Sequence, residues 1–155
     1  MKKFFATFLA LWLMSGIAFA ETSRFWNGDK NYPLVWEDTA AWYLDKNSLN
    51  VKVNDPPYFI ITARTLTANG TATCEFFFDE DEPDMRIFDQ NIGDWQYLNP
   101  CDVTAEKKYL MYVGEAVFYV AQGRKFYGNY LWKAAVDGKI NYVDEFNDAL
   151  YQDWR

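Results

Sequence analysis

The side chains able to do chemistry in this 155-residue chain are carboxylates, tyrosines and two thiols, because it contains no histidine. Without imidazole, Ser-His-Asp and Cys-His nucleophile pairs lose the base that takes a proton near neutrality, and histidine zinc sites lose their ligand. No Gly-x-Ser-x-Gly elbow, Gly-x-Gly-x-x-Gly turn or phosphate loop occurs. Carboxylate chemistry is what remains. A glycosidase needs two carboxyl groups about 5 to 10 Å apart, one of them kept protonated, beside rings that hold a sugar. Asp45, Glu75 and Glu115 sit among apolar neighbours and are the first candidates, against the plainer roles of capping or ion pairing.

Two other clusters stand out. Asp79, Glu80, Asp81, Glu82 and Asp84 place hard oxygen donors at close spacing, which suits calcium, and Asp79, Asp81 and Asp84 are its weak candidate ligands. The run is not an EF-hand: Pro83 interrupts it, and Gln90 stands where the bidentate glutamate belongs. Its simpler reading is a solvated loop that guards the apolar Phe76-Phe77-Phe78 strand against aggregation. Further on, Arg124, Lys125, Phe126, Tyr127, Tyr130 and Trp132 interleave cations with rings. Exposed, this segment is a binding platform for a protein or a sugar; buried, it is core that follows a helix. No cofactor is expected, since nothing in the chain matches a cofactor motif.

The elements that must position these groups begin after a leader. Lys2 and Lys3, an apolar stretch over 4–14 and the small-x-small Ala18-Phe19-Ala20 have the form of a cleaved signal peptide. Residues 1–20 are therefore expected to be removed, with 21–155 as one exported globular domain, periplasmic or secreted and without stable membrane insertion. Export brings oxidising conditions, in which Cys74 and Cys101 are expected to form a disulfide that adds about 3 to 4 kcal/mol on the chain-entropy model. The net charge of −7 becomes more negative once the basic leader is gone, which disfavours nucleic acid and anionic lipid as partners. An aromatic content of 20% argues for a packed core and against disorder.

Periodicity predicts short strands at 34–36 and 41–45, a turn over 45–48, and an alternating half-buried strand over 48–53 that ends at Asp55-Pro56-Pro57. A hairpin follows, with strands at 58–67 and 71–78 about Ala68-Asn69-Gly70. Shorter strands are expected at 86–89 and 95–98. Helical spacing supports a helix over 114–121 closed by Gly123, while 107–113 reads as helix or strand. Asp137-Gly138 suits a further hairpin between 133–136 and 139–143, and 144–151 a short terminal helix. The expected class is α+β: a small antiparallel sheet, a meander of hairpins, with one packed helix and a short C-terminal helix.

Trp36 and Trp42-Tyr43-Leu44-Asp45-Lys46-Asn47-Ser48-Leu49 resemble the opening of the surface-adhesin E family of small exported bacterial proteins, a correspondence that spans 36–97. The resemblance implies a small antiparallel sheet with a packed helix, located at the cell envelope, where family members bind host extracellular proteins. It carries over no binding residues, because the matched motif is a turn in which Asp45 can accept backbone amides near Ser48.

The reading that follows is a non-enzymatic exported module that contacts a protein or polysaccharide at or outside the envelope. The alternatives are a carboxylate hydrolase acting on cell-wall or host polysaccharide, and a structural envelope component that self-associates into homo-oligomers. Mass spectrometry of the exported protein should give Glu21 as the first residue; recovery of an intact leader in the cytosol would overturn the assignment.

Overall fold

The computed structural model describes residues 22–100, 104–129, 146 and 148–155. Six antiparallel strands form one sheet in sequential order: β1 (Leu34–Glu37), β2 (Ala41–Asp55), β3 (Tyr58–Thr67), β4 (Gly70–Asp79), β5 (Asp84–Asp89) and β6 (Asp94–Tyr97). Helix α1 (Ala105–Gln122) packs on the sheet, and α2 (Asp148–Trp154) closes the chain. The expected α+β class holds. The sheet is a curled half-barrel, however, where a simple meander was expected.

Alternation along the strands divides the sheet into two faces. Phe59, Ile61 and Ala63 on β3, with Phe76 and Phe78 on β4 and Met85 on β5, are buried on the inner face. They meet α1, whose residues from Val113 to Tyr119 are all buried. A surface helix hides one stripe, so burial around the whole circumference means that α1 is enclosed on several sides. The curl of the sheet covers one side and α2 another. Phe118 is the centre of the packing, with ring centroids 5.4 Å from Phe59, 4.9 Å from Phe78 and 5.0 Å from Phe126.

Several boundaries differ from the sequence reading for physical reasons. The expected turn at 45–48 is a bulge inside a continuous β2, since the register steps from Asp45↔Arg64 to Asn50↔Thr62. Local bonds hold the bulge: Asn47 N donates to Asp45 Oδ1 at 3.1 Å, and Ser48 Oγ donates to the Asp45 carbonyl at 2.7 Å. The β3–β4 loop is Ala68-Asn69, with Gly70 paired to Thr67, so Asn-Gly does not occupy the two central positions. Helix α1 also includes the ambiguous stretch 107–113. Its end agrees with expectation: Gly123 takes φ 70 and its amide donates to Tyr119 O at 2.8 Å. The hairpin expected over 133–143 lies outside the described residues, as does the leader.

Helix α2 fastens the C-terminus to β1. Tyr151 and Trp154 are buried, the Trp154 indole donates to Leu34 O at 3.1 Å, and Arg24 holds Asp153 through two nitrogens. The terminal helix therefore reaches Trp154, past its expected end at 151.

Gly114 explains why α1 can lie so close to the sheet. A Cβ there would collide with the Met85 sulfur and come within 3.1 Å of the Phe76 ring. Alanine favours a helix by about 1 kcal/mol over glycine, but overpacking a dense core costs about 1 to 3 kcal/mol. Gly114→Ala should therefore lower stability in urea unfolding, and a net gain would show that the contact is slack.

Candidate functional site

The three carboxylates singled out by sequence are all engaged, and they do not converge. Asp45 is buried in the β2 bulge, where its Oδ2 accepts Arg64 Nη2 at 2.6 Å and Nε at 3.1 Å while Oδ1 caps Asn47. Glu75 pairs with Lys52 across the strands. Glu115 lies on the enclosed helix with no exposure at all. Its Oε1 accepts Phe126 N at 2.9 Å, Gly128 N at 3.2 Å and the Tyr151 hydroxyl at 2.7 Å, and Oε2 accepts Tyr127 N at 2.7 Å.

Burial pushes the Glu115 carboxyl up from its ordinary range, opposed by the Tyr151 hydroxyl and the three amides. Burial, with Glu115 close by, also holds the Tyr151 phenol far above its usual range, so the hydroxyl remains a donor. With three donors on Oε1, one on Oε2 and no exposed surface, Glu115 is held away from any substrate. It is a structural clamp.

The acidic run forms the β4–β5 turn. Asp79 Oδ1 accepts Asp81 N at 3.0 Å and Glu82 N at 3.4 Å, which is Asx-turn chemistry. Among the described residues, no three acidic, histidine or cysteine side chains are grouped to hold a metal ion, so Asp79, Asp81 and Asp84 do not make the calcium cluster considered from sequence. Of the ring-and-cation segment, Phe126 and Tyr127 are core. Arg124 forms a two-nitrogen bridge to Glu80 and lies 5.6 Å from the Phe59 ring centre; Lys125 pairs with Asp148 at 2.6 Å and lies 4.5 Å from the Tyr151 ring centre. Tyr130 and Trp132 lie outside the described residues. These four placed residues serve packing and ion pairing.

Cys74 is a free thiol on the inner face of β4, and its expected partner Cys101 lies outside the described residues. Burial pushes the thiol up to about 11 against a hydrogen bond from Thr65.

Exposed and half-buried rings instead gather on the outer face of the sheet, which no described helix covers. Register aligns Val53, Ile60, Phe77, Arg86 and Tyr97 in one row across five strands. Around that row, Phe77 stacks with Tyr58 at 6.2 Å and meets Trp95 edge-on at 6.0 Å, and Trp95 meets Phe88 at 5.4 Å. Tyr58 is 47% exposed and Tyr97 48%. At one end lies an open cleft of about 380 Å³ lined by Glu82, Pro83, Asp84, Arg86 and Tyr97. Within Asp84, Oδ2 accepts Arg86 Nε at 2.8 Å, whereas Oδ1 is buried with no hydrogen-bond partner.

Sequence reasoning did not single out these rings. The available signal was Phe76-Phe77-Phe78: a strand buried on one face needs large apolar groups only at alternate positions, so Phe77 had to point outward. The arrangement is that of an α+β half-barrel with a ring-bearing outer face. No family model, curated protein or solved structure matches the chain.

Two measurements check these assignments. Glu115→Ala removes the acceptor of three amides and one hydroxyl and should lower unfolding free energy by about 3 to 5 kcal/mol; a loss under about 1 kcal/mol would deny the clamp. Because its thiolate is disfavoured, Cys74 should be alkylated at pH 8 at least about tenfold more slowly in the folded protein than in urea. Absence of any reactive thiol in urea without reductant would instead reveal a bridged pair.

Proposed function

We propose that this chain is an exported, non-enzymatic binding module that contacts another macromolecule through the outer face of β2 to β6. The observation that carries the reading is the group formed by exposed Tyr58 and Tyr97 with half-buried Phe77, Phe88 and Trp95 on a sheet face that no described helix covers. Large apolar side chains on such a face cost solubility unless a partner uses them, and tyrosine and tryptophan supply contact area at low entropic cost. The likeness of 36–97 to the surface-adhesin E family agrees with an envelope location and a protein partner.

The hydrolase alternative has a foothold in the cleft, where Glu82 and Asp84 lie beside Tyr97. Asp84 is committed there to an ion pair with Arg86, which suits a binding surface better than an acid and a nucleophile facing a glycosidic bond. Self-association through the same face would leave dimers in light scattering.

The test is saturable binding of the purified protein to matrix proteins and envelope extracts, with Tyr58→Ser and Tyr97→Ser combined on the outer face. The double variant should weaken binding by about tenfold or more with the fold unchanged by circular dichroism. Equal binding by the variant would send the contact elsewhere, and sugar release lost on Asp84→Asn would favour the hydrolase.

A further inference from the structure

We infer that the outer face takes a cationic polypeptide segment, a run of lysine or arginine side chains laid along the rings from Tyr58 to Tyr97. This rests on the reading of that face as the binding surface and adds the chemistry of what binds there.

The first argument is charge. On the outer face, register sets Asp79 opposite Asp84, and Tyr58 lies between Asp55 and Asp79 in the same cross-strand row. Like charges directly opposite on neighbouring strands destabilise a sheet, so the fold carries a repulsion that a bound cation would relieve. The face's own cations do not relieve it fully. Lys52 is tied to Glu75, Arg64 to Asp45 and Arg86 to Asp84, with Asp94 and Asp79 also within the field of Arg86. Among the described residues, Asp55 and Asp79 on this face and Glu82 beside it form no ion pair. One oxygen of Asp79 caps the Asp81 amide, which leaves the charge in place.

The second argument is the pairing of that charge with rings and depth. The faces of Tyr58, Phe77, Trp95 and Tyr97 attract cations, and guanidinium and ammonium groups with aliphatic stems cover apolar surface as they do so. The cleft beside Tyr97 can admit one such side chain, and Glu82 and Asp84 are in its lining. A neutral sugar would use the rings and gain little from the surplus negative charge, while an anionic polysaccharide would be repelled.

The test uses a fluorescein-labelled oligolysine peptide titrated into the purified protein, with an oligoglutamate peptide and a neutral chito-oligosaccharide as comparisons. Oligolysine should bind saturably and oligoglutamate should not, and affinity should fall about tenfold from low to physiological salt. Tyr97→Ser should weaken oligolysine about two- to fivefold, and Asp55→Asn with Asp79→Asn, which keeps the turn-capping oxygen of Asp79, by at least as much. Asp38→Asn, on the distant β1–β2 turn, should change nothing. Failure of oligolysine to bind, or an equal loss in the Asp38 variant, would overturn the inference. Chito-oligosaccharide binding that Tyr97→Ser removes would overturn it while keeping the outer-face reading; insensitivity of every probe to the ring replacements would end both.

Discussion

A single carboxylate, that of Glu115, sets the conditions under which the rest of the chain can pack. Removed from water inside the enclosed helix α1, it must have its oxygens satisfied by protein donors, since an unpaired buried charge costs several kcal/mol. The donors come from two places distant in sequence: the consecutive amides of Phe126, Tyr127 and Gly128, and the hydroxyl of Tyr151 on α2. The chain must therefore turn back immediately after Gly123, and the C-terminal helix must dock where Tyr151 can reach. Gly128 belongs to this constraint, because a Cβ there would run into the Tyr151 hydroxyl. Once α2 is held, Trp154 meets the carbonyl of Leu34 and Asp153 meets Arg24, so the first strand and the last helix are joined.

Around that clamp the aromatic residues divide into two populations. Phe59, Phe76, Phe78, Phe118 and Phe126 make the interior, packed edge-on or tilted apart from the stacked Phe76–Phe78 pair, at centroid distances near those that the ring quadrupole favours. At its margin, Trp42 stacks on Tyr109 at 4.5 Å and Trp36 meets Tyr112 at 4.8 Å, which ties β1 and β2 to the first turns of α1. Tyr58, Phe77, Phe88, Trp95 and Tyr97 make the second population, on the opposite side of the same strands. The interior rings explain why the sheet curls around the helix. Apart from the contact of Tyr97 with the buried Tyr127, the interior packing among the described residues does not account for the outer ones.

That surplus is the reason to place function on the outer face. Residues that satisfy folding rules explain themselves, whereas rings facing water and carboxylates paired with carboxylates break those rules without an internal gain. Both departures fall on β3 to β6 and the turns between them. By contrast, each group that first suggested chemistry finds an ordinary structural use: Asp45 in its bulge, Glu75 with Lys52, Glu115 in the clamp, and Arg124 across to Glu80.

Read alone, the chain established the strands of the central hairpin, the stop at Asp55-Pro56-Pro57, the glycine that ends α1, and the absence of imidazole chemistry. These are consequences of side-chain period, proline and glycine geometry, and composition, all of which act within a few residues. What the same residues could not reveal depends on partners far along the chain. Asp45-Lys46-Asn47-Ser48 has the composition of a turn, and it is a bulge because Arg64, 19 positions away, grips Asp45 across the sheet. Arg124 to Tyr127 could have been a surface platform, and Phe126 and Tyr127 are core because Glu115 holds their amides inward. The row from Val53 to Tyr97 exists only in the register of five strands. Local preference selects the elements; burial and cross-strand neighbours, which only the folded chain brings together, decide which of their side chains remain available to a partner.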